Sequence, residues 1–132
     1  MIDVEPLVFN EVYSSVTSIR NFPAKNFKSM YVPNPSSFPF ATLMEVDNAI
    51  DTKHRSSALD EEYAIITYEA NSYATEKFKC REVADAIDKV MVRLNFARLS
   101  MQFIPNLADN TIFRITARYQ AVADRHNVIY RR

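Results

Sequence analysis

The chain has 132 residues, 48% of them hydrophobic and 24% charged, and its 16 basic residues balance its 16 acidic ones. A formal net charge of zero speaks against a general nucleic-acid binder, which needs a net basic surface. Glycine is absent, and this removes the phosphate loops, dinucleotide fingerprints and nucleophile elbows that need glycine where the backbone turns sharply or meets a ligand.

Residues 5–20 read as a first helix. Pro6 suits its first turn, and Val8 or Phe9, Val12, Val16 and Ile19 form one apolar stripe. Asn21, Phe22 and Pro23 end it. Residues 21–39 hold Pro23, Pro33, Pro35 and Pro39 among Asn and Ser, which predicts an extended connector without regular structure. Its aromatics Phe22, Phe27, Tyr31 and Phe38 imply that it lies against the body or a neighbour. Residues 40–47 alternate as a strand does, residues 48–60 read as a polar inter-strand loop, and residues 61–72 as a second strand with an apolar centre.

Residues 75–95 carry the clearest helical pattern. Cys80, Ala84, Ile87, Met91 and Leu94 recur at steps of four and three, widened by Val83 and Val90. Thr75 is the expected N-cap, and Asn95 the left-handed residue that ends the helix. Lys77, Arg81, Asp85, Lys89 and Arg93 mark its wet face. Residues 97–104 alternate again, 106–110 read as a turn, and 111–123 as the most regular strand. Residues 128–132 extend that strand or form a short separate one. The pattern predicts a single α+β domain over residues 1–132. It would be a four-stranded, mostly antiparallel sheet with the N-terminal and central helices packed on one face. Arg114 and Arg118 would then lie on the uncovered face, and copies of the chain would cover the open edges.

No residue set converges on catalysis, a cofactor or a metal. One cysteine excludes an internal disulfide, and with two histidines it argues against a structural zinc site. Cys80 reads as a small core residue, and His54 and His126 as exposed side chains. Glu45, Asp47 and Asp51 at a strand end are the one arrangement that would suit magnesium, though such acids are common there. No apolar run approaches the roughly 20 residues a membrane span needs, so no membrane partner is expected. The first residues lack a basic region and a cleavage site, which points to a cytoplasm as the place of synthesis.

The charges are unevenly spread. Residues 45–62 carry six acids against Lys53 and Arg55, and residues 112–132 carry five arginines against Asp124. These are either two solvated surfaces or two complementary patches that join copies head to tail. Under the second reading the interface candidates are Glu45, Asp47, Asp51, Asp60 and Glu61 on the acidic side. Arg114, Arg118, Arg131 and Arg132 stand on the basic side.

The segments FPFATLMEVDN (38–48), YEANSYAT (68–75), REVADAIDKVMVRLNFAR (81–98) and IPNLADNTIFRITARYQAVADRHNVIYRR (104–132) resemble, in order and spacing, tail terminator or tail completion proteins of tailed phages. That family belongs to the head–tail connector, or neck, region. The resemblance implies a homo-oligomeric ring, usually a hexamer, at the top of the tail tube. Such a ring stops tube polymerisation and joins the tail to head-completion and connector proteins, with sheath as a further partner in a contractile tail. DNA would pass through the lumen without sequence-specific binding, and the protein would reside in the virion neck after assembly in the bacterial host cytoplasm. Three alternatives remain open. One is a head-completion or neck adaptor protein. Another is a small non-phage ligand-binding or enzymatic domain, with Glu45, Asp47 and His54 as its candidates. The third is a DNA-binding regulator, which the net charge disfavours.

Overall fold

The protein is described from a computed structural model, whose described residues are 1–50, 63–105, 109 and 111–131. The first helix, α1 (Glu5–Thr17), starts at Glu5 with Pro6 in its first turn, as expected, and buries Val8, Val12 and Val16 completely. It ends short of residue 20 because hydroxyls compete for its last carbonyls. Thr17 Oγ1 donates to Tyr13 O at 2.6 Å and Ser18 Oγ to Ser15 O at 2.7 Å.

The second helix, α2 (Lys77–Arg93), buries Cys80, Val83, Ala84, Ile87, Val90 and Met91, the stripe the spacing predicts. Its N-cap is Glu76, without a side-chain capping bond, and not Thr75, because the preceding strand runs on to Ala74. At the other end Asn95 takes φ 72°, while Asn95 N donates to Val92 O and Phe96 N to Met91 O. These two bonds make a Schellman motif, and its accompanying apolar contact comes from the buried Phe96.

The expected four-stranded, mostly antiparallel sheet is corrected to a six-stranded mixed one. Its strands are β1 (Phe27–Lys28), β2 (Phe40–Ile50), β3 (Tyr63–Ala74), β4 (Ala97–Phe103), β5 (Phe113–Asp124) and β6 (Ile129–Arg131). They lie in the order β1-β2-β3-β5-β4, and β6 also pairs with β5. The parallel contact is β1 on β2, where Phe27 faces Ala41 and Lys28 faces Thr42. The segment expected to be an irregular connector therefore holds a short 3-10 turn (Ala24–Asn26) and a strand. Two or three residues cannot display an alternation, so neither β1 nor β6 carries a periodic signal. β2 also reaches into the segment expected to be a loop, ending at Ile50.

Alternate residues of the sheet meet the helices. Leu43 from β2, Ile66 and Tyr68 from β3, and Tyr119 from β5 join Val8, Val12 and Ile87 in one buried cluster. A Tyr68–Phe96 edge contact at 5.5 Å ties the helix end to the sheet. Ile87→Ala is expected to cost about 2–5 kcal/mol, because it opens a cavity at the centre of this cluster. Phe78→Ser, on a side chain 72% exposed, is expected to change stability by about 0.5 kcal/mol or less. Urea unfolding of the two variants beside the parent checks the contrast.

Candidate functional site

The face of the sheet turned away from the helices is a polar ladder built across β3 and β5. Tyr73 faces Arg114, Asn71 faces Thr116, Glu69 faces Arg118 and Thr67 faces Gln120. Three of these four rungs carry a hydrogen bond or ion pair across them, and Arg114 instead bonds diagonally to Asn71, leaving the buried Tyr73 hydroxyl without a hydrogen-bond partner among the described residues. Arg114 Nη2 and Nε donate to Asn71 Oδ1 at 2.9 and 3.2 Å, and Thr116 Oγ1 donates to the same oxygen at 2.7 Å. Arg118 Nη2 meets Glu69 Oε2 at 2.8 Å, and Gln120 Nε2 donates to Thr67 Oγ1 at 3.1 Å. The Arg114 guanidinium also sits 5.5 Å from the Tyr73 ring and 5.7 Å from the Tyr31 ring, so the connector covers this end of the ladder. Both interface candidates on β5 thus already have partners within their own chain. Those partners come from more than forty positions earlier in the sequence.

The acidic candidates lie on a different strand. Glu45 and Asp47 flank a bulge in β2 that turns them to opposite faces. Asp47 is exposed. Glu45 is half-buried on the helix side, near the start of α1. Burial raises its carboxyl pKa, Asn48 partly offsets this, and the charges of Glu5 and Asp3 add to it. The Tyr68 phenol faces it and is pushed up as well, first by burial and then by the Glu45 charge, so it stays protonated. Among the described residues, neither Glu45 Oε1 nor the Tyr68 hydroxyl closes a hydrogen bond of good geometry. Asp51, Asp60, Glu61 and Arg132 lie outside the described residues, as does His54. Since Glu45 and Asp47 point apart, they do not form two ligands of one magnesium ion. Among the described residues no three His, Cys, Asp or Glu side chains gather as a metal site. Cys80 is buried beside Ser72 O and Phe113 O, and burial pushes its thiol up to about 11, so it is an inert core group. His126 sits exposed after β5, with its backbone N–H on Asp124 Oδ1.

Sequence reasoning missed a groove of about 760 Å³ between α2 and β4. It exists because α2 lies over β3 and β5 and leaves the helix side of β4 largely uncovered. Met101, Phe103 and Ile115 floor it, and Phe78 and Arg81 stand on its wall. Lys77 and Arg81 approach the Phe103 ring at 5.3 and 5.9 Å. At its far end Asp88 Oδ1 accepts from the Tyr119 hydroxyl at 2.9 Å and from Arg98 Nη1 at 3.3 Å. The signal in the sequence was Phe78, an aromatic placed among charges on the polar side of the helix.

The fold has a solved counterpart. A chain described as belonging to the "Virion of native gene transfer agent (GTA) particle" superposes with a TM-score of 0.53 at 12% identity, covering 86% of this chain and 94% of that one. No protein-family model matches the sequence, and no curated protein matches it. At that identity the likeness is one of fold. It spans nearly all of both chains, so it concerns the fold as a whole. Among the described residues no helix is long and apolar enough to cross a membrane.

Glu45 supplies a pH prediction. Its folded pKa lies above the ordinary 4.5, so the folded chain holds the proton more tightly than the unfolded chain. Stability associated with it is full below 4.5 and falls as pH rises through the folded pKa. Glu45→Gln is expected to remove that fall, raising the thermal midpoint at neutral pH and leaving it unchanged below the ordinary glutamate value. Thermal unfolding of both proteins across that range checks it.

Proposed function

We propose that this chain is a structural subunit of a phage-like particle. In this reading it forms a ring, a hexamer by its resemblance, at the end of the tail tube, where it stops tube polymerisation and joins tail to head. The observation that carries the reading is the fold likeness to a virion chain, which extends over 86% of this protein and 94% of the other. The resemblance of residues 38–132 to tail terminators supports the same station. The geometry is consistent with a scaffold: the two arginines of the polar face are partnered internally, Cys80 is inert, and the acids of β2 point apart. The partners are then further copies of the chain, the tube protein on one side and head-completion or connector proteins on the other. A sheath joins them if the tail contracts. DNA crosses the lumen without being read, and the chain works in the neck of the virion rather than as a free enzyme.

The test is native mass across a concentration series, negative-stain imaging, and incubation with isolated tail tubes and with filled heads. Rings with a central hole that cap tubes are the expected result. Rings that bind heads and ignore tubes would move the protein to a neck adaptor. A chain that stays monomeric and binds neither would overturn the reading.

A further inference from the structure

The two edges of the sheet differ in charge, and the strand register sets them level with one another. One edge is β2, which beyond Thr42 has no strand on its outer side among the described residues. The other is the outer edge formed by β4 and β6, which lie end to end along β5, with Arg131 opposite Ala121 and Ala97 opposite Gln120. Read across the sheet, Glu45, Tyr68, Tyr119 and Arg98 form one row. Asp47, Thr67, Gln120 and Ala97 form a second, and Asn48, Ile66, Ala121 and Arg131 a third. The rows that end in acids on β2 therefore end in, or beside, arginines on β4 and β6.

Among the described residues the acidic end is short of paired counter-charge. Glu45 lies in the field of Glu5 and Asp3, and among the described residues none of these three, nor Asp47, makes an ion pair. At the basic end Arg98 shares Asp88 with the Tyr119 hydroxyl, and among the described residues Arg131 donates to the Val92 carbonyl alone, at 3.4 Å. Apolar groups follow the same geometry. Phe27, Ala41, Ser72, Ile115 and Phe103 form a further row, which sets the open groove at one edge level with β1 at the other. Met30, just after β1, is 71% exposed, and Phe78 on the groove wall is 72% exposed.

We propose that, within the ring reading on which this rests, copies join head to tail through these edges. The β2 edge of one copy, with Glu5, Glu45 and Asp47, sets against the β4–β6 edge of the next, with Arg98 and Arg131. The β1 corner and Met30 close over the neighbour's α2–β4 groove. Strand directions permit it: β2 and β4 lie three steps apart in the sheet, each step antiparallel, so a translated copy presents β2 antiparallel to β4. Bulges at Val46 and Leu99 interrupt both edges. They discourage indiscriminate strand pairing and leave specificity to the charges. The contact is heterologous, and such contacts build rings when the rotation closes.

The test uses two full-length variants. Glu5→Lys with Asp47→Lys makes both edges basic, and Arg98→Glu with Arg131→Glu makes both acidic. Each alone is expected to raise the concentration for ring assembly by about tenfold or more, the scale of losing an interfacial charge pair. An equimolar mixture is expected to reassemble as an alternating ring, and the chain carrying all four changes is expected to reassemble by itself, with the charges of its two edges exchanged. Circular dichroism controls for folding, and the single changes Asp47→Lys and Arg131→Glu carry the test should a double variant unfold. Wild-type rings with both variants assembling like the parent would overturn this contact and leave the ring standing. A wild-type chain that never assembles, alone or on tail tubes or heads, would overturn both.

Discussion

The structure depends on the apolar stripe of α2 lying across β3 and β5. Val83, Ile87, Val90 and Met91 on the helix meet Ile66, Tyr68, Ala117 and Tyr119 on the sheet, all within one buried cluster. This contact orders two strands that are distant in sequence and positions α1, which packs on α2 and beside β1, with Val8, Val12 and Val16 in the same buried cluster as Leu43 of β2. It also sets what stays open. A single helix covers two strands, so β4 is left with a bare helix-side surface and the groove follows.

The opposite face is held by a different kind of interaction. Its rungs are hydrogen bonds, an ion pair and cation–aromatic contacts, and the connector closes over one end through Tyr31. An exposed ion pair such as Glu69–Arg118 contributes about 0–1 kcal/mol, so the ladder does more for register than for stability. A slip of one residue would break every rung and turn the apolar residues to water. The arginines of β5 are therefore part of what defines the fold, and the charge available to a neighbour lies at the sheet edges instead. The arginines of the polar face are matched internally, and the two sheet edges differ in charge, which is the arrangement the proposed head-to-tail contact uses.

Much of the architecture was legible along the chain. The period of four and three in residues 80–94 identified α2 and its buried face, Asn95 marked its end, and the alternation in residues 111–123 identified β5, which the structure places at Phe113–Asp124. These signals are local: a helix face or a strand face repeats within a few residues, and burial of one face selects the repeat. Zero glycine and zero net charge likewise narrowed the range of functions before any contact was known.

The rest was decided in three dimensions. β1 is a strand because a neighbour offers unpaired backbone, and its two residues hold no period of their own, whereas β6 is the short separate strand that was one of the two readings of residues 128–132. Arg114 and Arg118 looked available until β3 brought Asn71 and Glu69 beside them, partners 43 and 49 positions away. The bulge that separates Glu45 from Asp47, and the rows that set these acids level with Arg98 and Arg131, come from strand register. Register emerges only when the sheet closes on its helices. By itself, then, the sequence determined which faces are apolar and where the long elements lie, because those follow from local periodicity. Tertiary structure decided which charges are already matched and which remain at an edge, because matching depends on contacts between residues far apart in the chain.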